Sequence, residues 1–158
     1  MLHHLEATVV ETDEIYPNTF VTWYRGNELT HSATPGQFVM VQPHSRRGAH
    51  LDPLLPRAFS YYRFRKRQGE REFALLYTVV GDATARMASQ TPGSSTLITG
   101  PLGHGFHINS ASGNLLLVGG GVGIAPLVAL ADNQVSQGRS ITLCFGARDA
   151  NGVFPAEM

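Results

Sequence analysis

The feature that most constrains this chain is a glycine-rich segment between an apolar run and a helix-compatible stretch. Leu115-Leu116-Leu117-Val118 is a continuous apolar run, which is typical of a strand buried on both faces of a parallel sheet. Residues 119–126 follow it as the glycine-rich segment, then a helix-compatible stretch to about Gln137 and a second apolar run over 141–145. This order predicts one β-α-β unit of a doubly wound, Rossmann-like parallel sheet.

The glycine-rich segment suits a phosphate. Glycines between a strand and a helix let the backbone approach a pyrophosphate, and the helix N-terminus offers amides and a favourable dipole. The pair Gly121-x-Gly123 is followed by Pro126 where the common dinucleotide fingerprint has Gly or Ala, so the match is partial. No acidic residue stands about 20 residues further on to hold a ribose. The same loop could also serve packing alone.

The first part of the chain carries the signal of strands. Up to about Thr99, apolar residues come in short runs and alternations rich in β-branched and aromatic types, separated by turn chemistry such as Pro35-Gly36. The interruption over 82–90 predicts a short helix that Asp82 could cap. Six strands with tight turns predict a small antiparallel barrel. The predicted strands are 5–12, 19–24, 37–42, 58–65, 72–80 and 96–99.

We therefore expect two domains. Residues 1–109 should form a six-stranded antiparallel Greek-key β-barrel, and residues 110–158 the opening of a parallel α/β domain. A doubly wound domain needs several β-α units, and only one follows the barrel here. The second domain is thus expected to be incomplete, in either a fragment or a short relative.

Composition narrows the class of protein. Hydrophobic residues make up 42% of the 158 and charged residues 15%, which suits a globular chain with a core. Twelve basic residues balance twelve acidic ones, so no long-range field draws the chain to nucleic acid or to an anionic membrane. Cys144 is the single cysteine, which excludes an intrachain disulfide and favours a cytoplasmic setting. Glycines and a proline interrupt the longest apolar stretch, so no membrane span is expected.

Motifs in four segments have a recognisable order. The segments are Pro35-Gly36-Gln37-Phe38-Val39-Met40-Val41, Arg57-Ala58-Phe59-Ser60, Gly100-Pro101-Leu102-Gly103-His104-Gly105-Phe106 and 119–126. Together they resemble the ferredoxin reductase superfamily, and most closely the electron-transfer subunits of NAD-dependent bacterial dihydroorotate dehydrogenases. The resemblance covers nearly the whole chain. Arg-x-aromatic-Ser resembles the flavin motif of the superfamily, and Gly-Pro-Leu-Gly-x-Gly-Phe points to this branch.

The resemblance implies that the barrel binds FAD. Arg57 would place its guanidinium on the FAD pyrophosphate, and Ala58 continues the same motif. Phe59 would lie near the isoalloxazine ring, and Ser60 would offer its hydroxyl near the redox-active nitrogen. Ordinary alternatives remain, because an arginine at a strand start usually meets solvent and a strand phenylalanine is usually core. The pair Arg46-Arg47 could meet the phosphates instead.

A second flavin segment follows, in which the family has a strand running into a Gly-x-Gly-Thr turn. Ala83 replaces the second glycine here, so a methyl group is added where the Thr84 hydroxyl and backbone amides would meet phosphate. Tyr77 could pack on the cofactor or be an ordinary strand aromatic. The candidate cofactor contacts are Leu76, Tyr77, Thr78, Gly81, Ala83 and Thr84 in this segment, and Gly120, Gly121, Val122, Gly123 and Pro126 in the glycine-rich segment.

The expected activity is that of an FAD-dependent NAD(P)H oxidoreductase component. It would pass electrons between NAD(H) and a partner dehydrogenase subunit, in the dihydroorotate oxidation of pyrimidine biosynthesis. We expect no catalytic side chain, because the cofactor carries the chemistry. A related alternative is an electron-transfer subunit of a ferredoxin:NADP or hydrogenase-type complex. An alternative of another class is a non-catalytic module that docks a partner.

Four further features are weaker evidence for a function. The family has a [2Fe–2S] cluster held by later cysteines that this sequence does not contain. His104 and His107 are a weak metal candidate without a third ligand. Gly146-Ala147-Arg148 resembles the position facing the adenosine side of the nicotinamide nucleotide, without deciding between NAD and NADP. The basic run over 63–67 predicts a solvated strand end at a hairpin.

Overall fold

Six antiparallel strands close into a barrel in the computed structural model, which describes residues 2–43, 55–109 and 113–153. The strands are β1 (His3–Tyr16), β2 (Thr19–Arg25), β3 (Phe38–Gln42), β4 (Arg57–Arg67), β5 (Glu70–Thr78) and β6 (Ser95–Leu102). Their order around the barrel is β1-β2-β5-β4-β3-β6. The neighbours β2–β5 and β3–β6 are not consecutive in sequence, as in a Greek key. The predicted barrel is confirmed.

The β-α-β unit follows the barrel. It consists of β7 (Asn114–Gly120), a 3₁₀ turn (Gly121–Ile124), α3 (Ala125–Val135) and β8 (Ser140–Gly146), and β7 and β8 pair in parallel. A further 3₁₀ turn covers Ala150–Gly152. The predicted parallel unit is therefore confirmed, while the domain boundary at residue 109 stays a prediction.

Two short helices interrupt the barrel, α1 (Asn27–His31) and α2 (Asp82–Ala88). The sequence pattern missed α1, because Gly26-Asn27 has turn chemistry. Contacts with residues distant in sequence stabilise this helix. The side-chain amide of Asn27 donates to the Glu70 carboxylate at 2.6 Å, and Leu29 is fully buried. Tertiary packing rather than local propensity explains such a short helix.

The cap of α2 differs from the expectation. Gly81 is the N-cap and Asp82 makes no capping hydrogen bond, so the prediction that Asp82 caps the helix is wrong. The Thr84 hydroxyl accepts hydrogen bonds from the backbone amides of Val80 at 3.0 Å and Gly81 at 3.2 Å. It donates one to the Gly81 carbonyl at 2.9 Å. One side chain from inside the helix therefore closes this turn.

Burial on both faces of β5 joins the barrel to α3. Phe73, Leu75 and Tyr77 point into the barrel core, and Ala74 and Leu76 lie in a second cluster outside it. Because side chains alternate along a strand, an unbroken buried run means that both faces are covered. The outer cover consists of Ile124, Ala125 and Val128, at the start of α3.

The parallel sheet is less buried than its apolar sequence predicts. Leu117 is buried, but Leu116 is 67% and Val118 70% exposed, and Cys144 is exposed as well. The expectation of a strand buried on both faces is wrong for these described residues. These side chains are exposed because α3 covers only one face of the two-stranded sheet. Side chains alternate between the two faces of a strand, so every second one lies on the uncovered face. None of the helices in the described ranges is long and apolar enough to cross a bilayer.

Tyrosines give the barrel core a sensitivity to alkaline pH. Tyr24 and Tyr61 are fully buried, and burial raises the pKa of both hydroxyls. Burial also raises the pKa of Tyr77 to about 12, against the opposing effect of its hydrogen bond to Thr22. Each hydroxyl is therefore neutral in the folded protein at a pH where the unfolded chain has begun to ionise.

We predict that the free energy of unfolding is constant up to about pH 9 and falls above about pH 10, where unfolded tyrosine loses its proton. The loss should reach up to about 1.4 kcal/mol per pH unit for each such tyrosine until the folded groups ionise. Urea unfolding at a series of pH values measures it. Tyr61→Phe should have a shallower slope. A flat profile through about pH 11 would contradict the prediction.

Candidate functional site

The first and third motif segments pack against each other at one side of the barrel. The Phe106 amide donates to the Pro35 carbonyl at 2.8 Å, and the Gln37 side chain donates to the Gly103 carbonyl at 3.0 Å. A Cβ on Gly100 would lie 2.6 Å from a methyl carbon of Val39. The glycines of these segments therefore permit close packing between strands.

The second and fourth motif segments meet at a cleft of about 440 Å³, a size typical of small-molecule sites. Its walls are β4 and β5 on the barrel side and the start of α3 on the other. Val80 and Ala125 line it without having been named from the sequence. The candidate residues that line it are Arg57, Ala58, Phe59, Ser60, Leu76, Tyr77, Thr78, Thr84, Val122, Gly123 and Pro126. Gly81, Ala83, Gly120 and Gly121 are not among its lining residues.

Arg57 supplies the charge of the cleft. It lies at the exposed start of β4, and its guanidinium donates to the Leu55 carbonyl of its own loop. No carboxylate of the described chain pairs with it, and no other charged residue lines the cleft. The competing pair Arg46-Arg47 lies outside the described residues. A permanently charged planar donor is thus available at the cleft.

Aromatic side chains form the apolar wall. Phe59 is half-buried, and its ring meets the Tyr77 ring edge-on with centroids 5.8 Å apart. Tyr77 is 2% exposed, and its hydroxyl is hydrogen-bonded to Thr22 at 2.8 Å. Tyr77 is therefore a core residue that also lines the cleft, and its packing on a cofactor stays a prediction.

The structure shows where the methyl group of Ala83 lies, at the position where the family has a glycine. Ala83 lies in the first turn of α2, its φ is not positive, and it is 6% exposed. Its methyl group packs inward and does not line the cleft. Thr84 does line it, while its hydroxyl is engaged with the Val80–Gly81 backbone. The extra methyl group therefore does not obstruct this cavity.

The glycines of the fourth segment have different roles. A Cβ on Gly119 would lie 2.8 Å from the Leu127 side chain, and one on Gly120 would lie 3.2 Å from the Gly146 carbonyl. Gly121 has a φ of +51°, which favours glycine. Neither packing nor backbone conformation requires a glycine at position 123, because a Cβ on Gly123 would meet no atom within 4 Å and its φ is not positive. Its bare backbone leaves room at the cleft wall for a ligand.

The cleft can bind and orient a flat, anionic ligand. The N-terminal end of α3 is at the wall, because Ala125 and Pro126 line it, and the helix dipole favours negative charge there. Among the described residues that line the cleft there is no carboxylate and no histidine.

The residues do not fit an iron–sulfur cluster. Four thiolates are the usual ligands, and the chain has one cysteine. No group of three His, Cys, Asp or Glu in the described ranges could hold a metal ion. His104 and His107 are both exposed.

Comparison with known proteins agrees with the motif resemblance. No protein-family model matches the chain. The electron transfer subunit of dihydroorotate dehydrogenase B (NAD(+)) from Desulforamulus reducens is 34% identical over 94% of this chain and 54% of its own length. The same subunit from a Geobacillus species is 35% identical over 98% of this chain and 58% of its own length. The resemblance inferred from the motifs is confirmed, and the chain spans a little over half the length of these curated relatives.

Solved structures share the fold. A cytochrome P450 reductase of Amycolatopsis matches with a TM-score of 0.76 and 27% identity, over 99% of this chain and 46% of that one. An NADH-dependent reduced ferredoxin-NADP oxidoreductase matches with a TM-score of 0.79 and 29% identity, over 96% and 52%. Phthalate dioxygenase reductase matches with a TM-score of 0.71 at 17% identity over 96% of this chain and 46% of that one, which shows the fold alone.

Measurements of unfolding stability can distinguish a glycine that close packing requires from one that it does not. We predict that Gly100→Ala lowers the free energy of unfolding by about 1–3 kcal/mol, because its Cβ would overlap Val39. Gly123→Ala should stay within about 0.5 kcal/mol of the parent protein, since its Cβ faces open space. Urea unfolding of the ligand-free protein compares them. An equal loss in both variants would show that Gly123 is a packing glycine.

Proposed function

We propose that this chain is the FAD-binding part of a flavoprotein that transfers electrons between NAD(H) and a partner dehydrogenase. The observation that carries the proposal is the cleft, where two motif segments of the resemblance meet although they lie far apart in sequence. Arg57 is the charge at that cleft, and Gly123 leaves its wall open. These residues suit a dinucleotide with a flat ring and a pyrophosphate.

The barrel residues would bind and orient FAD. Arg57 would leave the Leu55 carbonyl and donate to the pyrophosphate, which offers a stronger, charged acceptor. Phe59 and Tyr77 would bound the isoalloxazine ring, and the Ser60 hydroxyl would donate to its polar edge. Apolar walls would keep water from the ring. FAD, when bound, supplies hydride exchange with a nicotinamide and single-electron exchange with another centre.

The glycine-rich segment would bring the nicotinamide nucleotide to the same place. Val122 and Gly123 line the cleft together with Ser60, so a nucleotide approaching along this loop would arrive at the flavin. The bare Gly123 backbone permits that approach. The division into 1–109 and 110–158 assigns FAD to the first part and NAD(P)H to the second.

The names of the relatives support a proposal for the partner and the pathway. We infer a hetero-oligomer with a catalytic subunit that oxidises dihydroorotate in pyrimidine biosynthesis, in the cytoplasm. The likeness to the ferredoxin-NADP oxidoreductase supports electron transfer as the broader class. Since the chain spans about half of its relatives and contains one cysteine, the iron–sulfur centre of such a system would be supplied by residues outside this sequence.

The visible spectrum of the purified chain tests the proposal. We expect a two-banded flavin spectrum, either as purified or after FAD is added and the excess is removed. Calorimetric titration with FAD gives the affinity and the stoichiometry. A chain that is folded by circular dichroism but takes up no FAD would instead support the docking-module alternative.

The pyrophosphate assignment has its own test. We predict that Arg57→Ala weakens FAD binding by roughly 10- to 100-fold, because hydrogen bonds to a charged group are lost. Arg46→Ala, in the competing pair, should weaken it much less. Arg86→Ala, an exposed arginine that does not line the cleft, serves as the matched control. Equal losses for Arg57→Ala and Arg46→Ala would remove the assignment.

A further inference from the structure

A second cavity of about 490 Å³ lies between α1, the β4–β5 hairpin and α3, and we call it the hairpin pocket. Phe64, Arg65 and Lys66 of β4 line it, as do Ala129, Asp132 and Asn133 of α3. The cleft is formed by the first residues of the same strand and the same helix. The two cavities are therefore at opposite ends of one strand–helix contact.

Two cations of the hairpin pocket oppose each other. Lys66 and Arg71 are directly paired across β4 and β5, and both line the pocket and are exposed. Side chains at paired positions point to the same face, and like charges there destabilise a sheet. No carboxylate in the described ranges forms an ion pair with either of them. This arrangement is unfavourable by itself and would be relieved by an anion.

The other charges of the hairpin do have partners. Arg65 donates to Glu72 at 2.6 Å and to Glu11 at 2.7 Å, and Arg67 lies 3.9 Å from Glu11. Glu70 accepts from the Asn27 amide at 2.6 Å. Arg65 and Arg67 therefore have carboxylate partners in the described ranges, whereas Lys66 and Arg71 have none.

Arg65 precedes Lys66 in β4, so its side chain points to the other face of the sheet. Its guanidinium lies 3.7 Å from the centre of the Trp23 ring, in addition to its two carboxylate partners. Its Nη2 is buried and has no hydrogen-bond partner among the described residues. Asp132 is the acid at the wall, but Arg63 neutralises it at 3.0 Å. Among the described residues that line the pocket, Lys66 and Arg71 are thus the lysine and arginine side chains without an ion-pair partner.

Part of the remaining wall is apolar, and the polar side chains of Thr30, His31 and Asn133 complete it. Ala33, Pro35, Phe64 and Ala129 line the pocket, and Phe64 is half-buried against Tyr61 with ring centroids 5.0 Å apart. The volume exceeds what an inorganic anion alone would fill. The ligand that matches these walls carries an anionic group on a compact apolar body.

We propose that the hairpin pocket binds a small organic phosphate. The phosphate is held between Lys66 and Arg71, where oxygen atoms can accept from both cations, and the apolar body packs on the half-buried Phe64 and Pro35. This site is separate from the cleft and does not depend on FAD binding there.

Phenyl phosphate, inorganic phosphate and benzyl alcohol are suitable probes for calorimetric titration, with sodium chloride holding the ionic strength constant. Phenyl phosphate should bind, inorganic phosphate should bind more weakly, and benzyl alcohol should not bind. The double variant Lys66→Ala/Arg71→Ala should weaken phenyl phosphate binding by at least about tenfold. Absence of phenyl phosphate binding, equal affinity for inorganic phosphate, or an unchanged affinity in the double variant would overturn the proposal.

Control variants show which cavity binds phenyl phosphate, and unfolding measurements show whether the double variant remains folded. Arg86→Ala should bind phenyl phosphate like the parent protein, and so should Arg57→Ala, which alters the cleft. Loss of binding in Arg57→Ala would put the phosphate in the cleft and overturn the proposal. Without ligand, the double variant should unfold at the same urea concentration as the parent or a higher one, because the repulsion between the two cations is gone.

Discussion

Double-sided burial of β5 is the constraint on which the rest of the structure depends. One face of the strand supplies Phe73, Leu75 and Tyr77 to the barrel core. On the other face, Ala74 and Leu76 share a cluster with Tyr62 of β4 and with residues at the start of α3. Neither cover suffices alone, because an apolar face left in water forgoes the hydrophobic stabilisation of the fold. β4 makes the main contact of the barrel with α3, and β5 contacts the 3₁₀ turn before it, so the two strands together place the glycine-rich segment opposite the start of β4. The cleft is a consequence of that packing.

The barrel and the β-α-β unit could be predicted because their signals are local. Alternating β-branched and aromatic residues, turn dipeptides and one strand–glycine–helix order are sufficient for that. Helix α1 could not be predicted, since Asn27 is held by Glu70 on a distant hairpin. The exposure of Leu116 and Val118 could not be predicted either, because an apolar run does not reveal how many neighbours will cover it. Tertiary context decides both cases.

The sequence indicated which residue types belong to the candidate site, but it did not indicate how these residues are arranged. The motifs named Arg57, Phe59, Ser60 and Gly123, and the fold brings them to one cleft. Val80 and Ala125 also line the cleft; they lie inside two of the motif segments but were not among the predicted cofactor contacts. The Gly100 segment, which was most specific for the family branch, turned out to be packing against Val39. A motif can therefore mark a family by its packing as well as by its ligand.

The central claim is that one cleft, shared by the barrel and the glycine-rich segment, holds the flavin. Backbone amide shifts in nitrogen-15 NMR spectra during FAD titration test it most directly. The largest changes should occur at Phe59, Ser60, Leu76, Thr84 and Gly123, with little change around Gly100 and Phe106. Shifts confined to the Gly100–Phe106 side of the barrel, or absent from Gly123 while Ser60 responds, would contradict a shared cleft.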